Sequence, residues 1–178
     1  MKINSDNMKS YIHVYTGNGK GKTTAALGLA LRAVGAGKKV FFAQFVKGKI
    51  YSEVEAIKKF LPAITIKQYG LSCFIYNQPS EEDIKAAQNG LLEIQKIINS
   101  AEYDMLILDE ANIALHYNLF SVKEFIEIIQ SRPNNLEVII TGRYAHEEII
   151  KIADLVSEIK EIKHYYTKGV EARKGIEY

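Results

Sequence analysis

The sequence predicts an α/β domain: a mostly parallel sheet of about six strands, doubly wound, with helices on both faces. Three observations carry this reading. Short continuous apolar runs, "VFFAQF" (40–45), "MLIL" (105–108) and "LEVIITG" (136–142), have the character of strands buried on both sides. Segments with helical character separate them, the alternation that builds parallel sheets. A glycine-rich stretch, "TGNGKGKTTAALG" (16–28), joins the first strand to the first helix.

Taken in order, "YIHVYT" (11–16) is short, β-branched and aromatic and reads as the first strand, and "KTTAALGLALRAV" (22–34) is rich in helix formers. "KKVFFAQF" (38–45) is a second buried strand, "SEVEAIKKFL" (52–61) an amphipathic helix closed by Pro62, and "AITIKQY" (63–69) a third strand. Gly, Asn, Pro and Ser punctuate "GLSCFIYNQPS" (70–80), which reads as a loop. Ser80 then caps a long helix, with acids in its first turn and Ile84, Ala87, Leu91, Ile94 and Ile98 near a 3.6-residue period. "YDMLILDE" (103–110) is a buried strand ending in two acids. It is followed by a helix at "SVKEFIEIIQ" (121–130), a strand at "LEVIITG", a helix at "HEEIIKIA" (146–153) and an alternating strand at "LVSEIKEIKH" (155–164).

At 178 residues the chain is expected to form one domain over 11–178, preceded by a flexible tail at 1–10. The net charge of +2 and the lack of a basic stripe argue against nucleic acid or an anionic membrane as a partner. Cys73 stands alone, the N-terminus has no apolar signal region, and no run approaches the ~20 apolar residues of a bilayer span. A soluble, cytoplasmic protein is expected. His13, His116, His146 and His164 are scattered without metal-ligand spacing and read as structural. Tyr165 and Tyr166 are read as lining an apolar pocket or completing the core.

The chemistry concentrates at three places. Gly17, Asn18, Gly19, Lys20, Gly21, Lys22, Thr23 and Thr24 form a phosphate-binding loop one residue shorter than the usual G-x-x-x-x-G-K-[ST]. Backbone amides and the helix N-terminus favour anions there, with Lys22 assigned to phosphate oxygens and Thr23 to Mg²⁺. Asp109 and Glu110 arrive at the carboxyl end of a strand, where ligands bind in open α/β sheets; one would help hold the metal while the other orients it. Arg143 follows "VIITG" at the same edge, as a phosphate partner or a plain surface arginine. Arg32 lies about three turns from Lys22, too far for phosphate at ~1.5 Å per residue, and either flanks a base or is solvated.

These motifs resemble the P-loop ATP:corrinoid adenosyltransferases. That family's loop reads GNGKGKTT, with the same missing residue, and Gly17 to Thr24 match it throughout. The likeness continues through "QFVKG" (44–48), "LDE" (108–110), "SRP" (131–133), "IITGR" (139–143), "AD" (153–154) and the tail "KHYYTKGVEARKGIEY" (163–178). It implies a P-loop three-layer sandwich and a transferase in adenosylcobalamin biosynthesis or salvage. In that reaction the cobalt of a reduced corrinoid attacks the 5′ carbon of ATP and triphosphate leaves. ATP is held in the reverse sense to other P-loop proteins, which gives the short loop a reason. The resemblance further implies Mg²⁺ (or Mn²⁺), a flavoprotein reductant and a homodimer, with Lys22, Thr23 and Glu110 as catalytic residues. Thr23, Asp109 and Glu110 would be the metal's residues, and the loop, Arg32 and Arg143 the nucleotide's. Relatives carry a G-F-T-W segment before the long helix; here Ser72, Cys73, Phe74 and Ile75 stand in its place, and Phe74 and Tyr76 substitute from shifted positions. The rival readings are a general P-loop ATPase or kinase and a non-catalytic ATP-binding module, which product analysis separates.

Overall fold

Six strands form one sheet in the order β3-β2-β4-β5-β1-β6, and every pairing in it is parallel. They are β1 (Ile12–Thr16), β2 (Val40–Phe45), β3 (Ile64–Tyr69), β4 (Met105–Asp109), β5 (Glu137–Thr141) and β6 (Leu155–Glu158). The computed structural model describes residues 9–49, 51–71 and 78–178. The departure from G-F-T-W at 72–75 and its substitute Tyr76 therefore lie outside the described residues, as does most of the expected N-terminal tail. Ser10, placed in that tail by the sequence, is buried and donates its hydroxyl to the carbonyls of Asn134 (2.7 Å) and Leu136 (2.8 Å).

The central strands read as continuous apolar runs because both of their faces are covered. All of β2 and β4 is buried. Successive side chains take opposite sides: Phe41 belongs to the core layer formed with α3 (Glu81–Ser100), α4 (Ala111–His116), α5 (Val122–Gln130) and α6 (Glu147–Ile152), whereas Phe42 belongs to the layer formed with α1 (Lys22–Gly35) and α2 (Ser52–Phe60). Burying a phenylalanine contributes about 1.5–3 kcal/mol. Phe41, Phe42 and Phe45, all fully buried, make β2 a major anchor of both layers.

The long helix α3 starts as its sequence requires. The Ser80 hydroxyl accepts from the Asp83 N–H while the Asp83 carboxylate accepts from the Ser80 N–H, a reciprocal cap. Ala87, Leu91, Ile94 and Ile98 then face the sheet. Two expectations need correction. The alternating pattern at 155–164 is a strand only to Glu158, because β6 is an edge strand paired on one side alone and the chain then leaves the sheet to cross the first loop. A short helix, α4, also follows β4 directly, where the sequence suggested none. Among the described residues no helix is long and apolar enough to cross a membrane.

Candidate active site

Four neighbouring strands, β2, β4, β5 and β1, deliver their carboxyl ends to one edge, and at each the backbone swings into left-handed or otherwise positive φ. Gly17 (φ 96°) follows β1, Val46 (60°) follows β2, Glu110 (58°) follows β4, and Gly142 (129°) and Tyr144 (59°) follow β5. Such conformations cost a non-glycine residue about 1–3 kcal/mol and gather at functional sites. These turns bring Asn18, Lys47, Glu110, Arg143 and Tyr144 off the sheet edge to a shared cavity of about 720 Å³.

The first loop forms the floor of that cavity, lined by Asn18, Gly19, Lys20, Gly21, Lys22 and Thr23, with Thr24 beside them. Lys22 is 7% exposed, and its ammonium donates to the carbonyls of Gly17 (2.8 Å) and Gly19 (2.7 Å). Burial lowers its pKa, as do the charges of Arg143 and Lys47, while Glu110 and Asp109 pull it back up. Thr23 turns its hydroxyl to Asp109 Oδ1 at 2.8 Å.

Asp109 is wholly buried and surrounded by donors. Oδ1 accepts from Thr23 and Thr141 (2.7 Å), and Oδ2 accepts from Lys47 (2.9 Å) and Gln44 (3.3 Å). A carboxylate so engaged reaches the cavity through Thr23 and Lys47. Glu110, in contrast, lines the cavity itself. Burial raises its pKa, the adjacent Asp109 charge adds to the effect, and the cations of Lys47, Lys22 and Arg143 oppose it. For Lys47, burial alone would lower the pKa, but the Asp109 and Glu110 charges outweigh it and the net shift is upward. Thr23 and Glu110 are hard oxygen groups on the cavity, a donor set that suits Mg²⁺ completed by phosphate and water, whereas Asp109, buried with both oxygens engaged and outside the lining, departs from the metal-ligand role expected of it. Among the described residues no cluster of three or more His, Cys, Asp or Glu side chains converges on a metal position.

The tail supplies the opposite wall. Gly19 N–H donates to Ile159 O (2.7 Å), Lys20 Nζ donates to Ile176 O (2.7 Å) and lies 3.5 Å from Glu177, and the Ser52 hydroxyl donates to the Tyr178 carbonyl (2.9 Å). A hydrogen bond from the Tyr165 hydroxyl, with others from Arg173, holds the Glu177 carboxyl down to about 2, so it stays charged as the partner of Lys20. Gly175, Ile176, Glu177 and Tyr178 all line the cavity.

The structure thus brings together the loop, Thr23, Asp109, Glu110 and Arg143, as the sequence predicts. Arg32, in the last turn of α1, is not among the residues lining the cavity. Tyr165 packs against Arg173 and Glu177, and Tyr166 is 75% exposed, so neither completes the core; Tyr165 belongs to the tail's own fold. His164 lines the cavity, His146 caps α6 and His13 pairs with Glu137. Sequence reasoning did not single out Lys47, Gln44, Thr141 or Tyr144. Lys47 and Tyr144 carried the same signal that found Arg143, a position just past the carboxyl end of a buried strand.

Comparison with known proteins agrees with this geometry. The family model described as ATP:corrinoid adenosyltransferase BtuR/CobO/CobP matches residues 8–178. The chain is 37% identical over 171 residues to a corrinoid adenosyltransferase of Escherichia coli K12, covering 96% of this chain and 86% of that protein. Corrinoid adenosyltransferase CobA of Salmonella typhimurium shows the same identity and coverage. A corrinoid adenosyltransferase of Pseudomonas aeruginosa is 33% identical over 166 residues, covering 93% and 82% of the two chains. With the match running from before β1 to the tail that closes the cavity, the chain belongs to the ATP:corrinoid adenosyltransferase family.

Proposed function

We propose that this protein transfers the 5′-deoxyadenosyl group of ATP to the cobalt of a reduced corrinoid and releases triphosphate. The observation that carries the proposal is the shortened phosphate loop with buried Lys22, opening on a cavity shared with Glu110 and Arg143, in a chain of this family. The cobalt's electron pair forms the bond to C5′, the C5′–O bond breaks, and its electrons leave on triphosphate. Charge therefore grows on the bridging oxygen. Lys22, the loop amides and Arg143 stand at that edge to stabilise the growing charge. No proton is removed from either substrate, so no protein base is required.

Lys22 meets the leaving group by exchanging its carbonyl acceptors for phosphate oxygens, a stronger charge-assisted contact. Thr23 and Glu110 would hold Mg²⁺, with Asp109 fixing Thr23 from behind; when bound, the metal neutralises charge on the phosphates. Leu27, Val46 and Ile113 give the same cavity apolar wall, which restricts water near the reacting carbon. A homodimer and a flavoprotein that reduces the corrinoid complete the proposal, on the family resemblance.

The test is product analysis. Incubation with ATP, Mg²⁺ and chemically reduced cobalamin is expected to yield a light-sensitive cobalt–carbon species and inorganic triphosphate in equal amounts. ADP and orthophosphate without the alkylated corrinoid would instead identify a kinase or ATPase, and nucleotide binding without turnover would identify a binding module.

A further inference from the structure

Building on the reading of the cavity as an ATP site, we propose that the ring of Tyr144 is the platform on which the adenine of ATP stacks, with His116 as its backing. Tyr144 follows Arg143 past the end of β5, and both residues line the cavity. Its backbone is left-handed at φ 59°, a conformation that a bulky side chain adopts at a cost and glycine adopts freely. The ring is nevertheless 56% exposed, so burial in the core does not offset that cost. One face of it is covered. The His116 imidazole lies 4.4 Å away, centroid to centroid, tilted by 30°, and His116 is itself held edge-on by Tyr117 at 5.4 Å. The arrangement is a fixed aromatic plane, supported from behind, at the wall of a nucleotide-sized cavity.

The rest of the cavity points to the base as occupant. The floor is cationic and takes the triphosphate, so the base must rest on a wall. A second pair of rings, Tyr51 and Tyr178, also lines the cavity, but Tyr51 is already occupied by the Lys47 ammonium at 5.7 Å from its centroid and by Tyr178 edge-on at 6.5 Å. Purines stack on aromatic side chains whatever their hydrogen-bonding edge, so the platform binds through the π-face of the base.

The experiment compares ATP with inorganic triphosphate, which shares the phosphates and lacks the base. Calorimetric titration of the full-length protein with each ligand, in the presence of Mg²⁺, is made for the native protein, Tyr144→Phe and Tyr144→Gly. Tyr144→Gly is expected to weaken ATP at least tenfold, to leave triphosphate within about twofold, and to melt no lower than the native protein because glycine relieves the strained φ. Tyr144→Phe is expected to keep native affinity for both. An ATP affinity within twofold of native in Tyr144→Gly overturns the proposal. So does equal weakening of ATP and triphosphate, or unchanged ATP affinity with a raised KM for the corrinoid, which would give the ring to the second substrate. If the native protein bound neither ATP nor triphosphate, the reading of the cavity itself would fall instead.

Discussion

Lys22 and Lys20 stand two positions apart on one loop and do different work. Lys22 points inward and is buried against the carbonyls of Gly17 and Gly19, whereas Lys20 points across the cavity and grips the tail through Ile176 O and Glu177. The sequence assigns Lys22 to phosphate oxygens and places Lys20 only within the loop, since spacing alone cannot say which way a side chain turns. Replacing Lys22 with Ala is expected to lower kcat/KM at least tenfold, about 1.4 kcal/mol of transition-state stabilisation. Because its ammonium also ties the loop to itself, a modest drop in melting temperature should accompany that loss. A smaller kinetic effect, measured by product formation under saturating corrinoid, would count against the assigned role. Lys47 stands just past a buried strand, which marks it for the carboxyl edge, but its pairing with Asp109 is not legible, because nothing local in "QFVKG" records a neighbour sixty-two positions away.

At the scale of elements, the central strands β2, β4 and β5 are legible because a parallel sheet buries both of their faces and leaves apolar runs, and of the helices α1 to α6 only the short α4 goes unseen. β6 was legible only in part, since an exposed edge strand looks like any alternating polar segment. The loop's glycines have a structural reason independent of ligand orientation: a β-carbon at Gly19 would lie 2.8 Å from the Ile159 carbonyl oxygen, and one at Gly17 would lie 2.5 Å from the same atom. These glycines make room for backbone, which cannot move aside as a flexible side chain can. Gly19→Ala is therefore expected to destabilise by roughly 1–3 kcal/mol and to speed hydrogen exchange over 159–178. Gly28→Ala, on the exposed face of α1 with open space around it, should instead stabilise by about 0.5–1 kcal/mol. Denaturant unfolding of the two variants checks the opposite signs.

For the whole molecule, function and fastening sit at opposite edges of the sheet. At the amino edge Glu137, opening β5, accepts from His13 (2.7 Å) and from the Tyr11 N–H (3.0 Å), stitching β5 to β1. Burial would raise this carboxyl, but those hydrogen bonds outweigh it and its pKa falls below the ordinary 4.5. A depressed carboxylate stabilises the fold above 4.5, and that contribution fades as pH drops through the folded-state value. Glu137→Gln is accordingly expected to lose about 1 kcal/mol at pH 7, with native adenosylation, and to converge on the native protein in acid, once the pH lies below the folded-state value. Urea titrations at both pH values measure it; a gap that persisted in acid would mean the carboxylate charge is not what matters there.

The tail that closes the cavity also makes the site depend on residues far along the chain from the loop. Lys20 and Ile176 touch across 156 positions of chain, and the cavity wall they complete includes Gly175, Glu177 and Tyr178. The sheet and the phosphate loop therefore do not make the cavity by themselves, because its wall is present only with the tail docked on the loop.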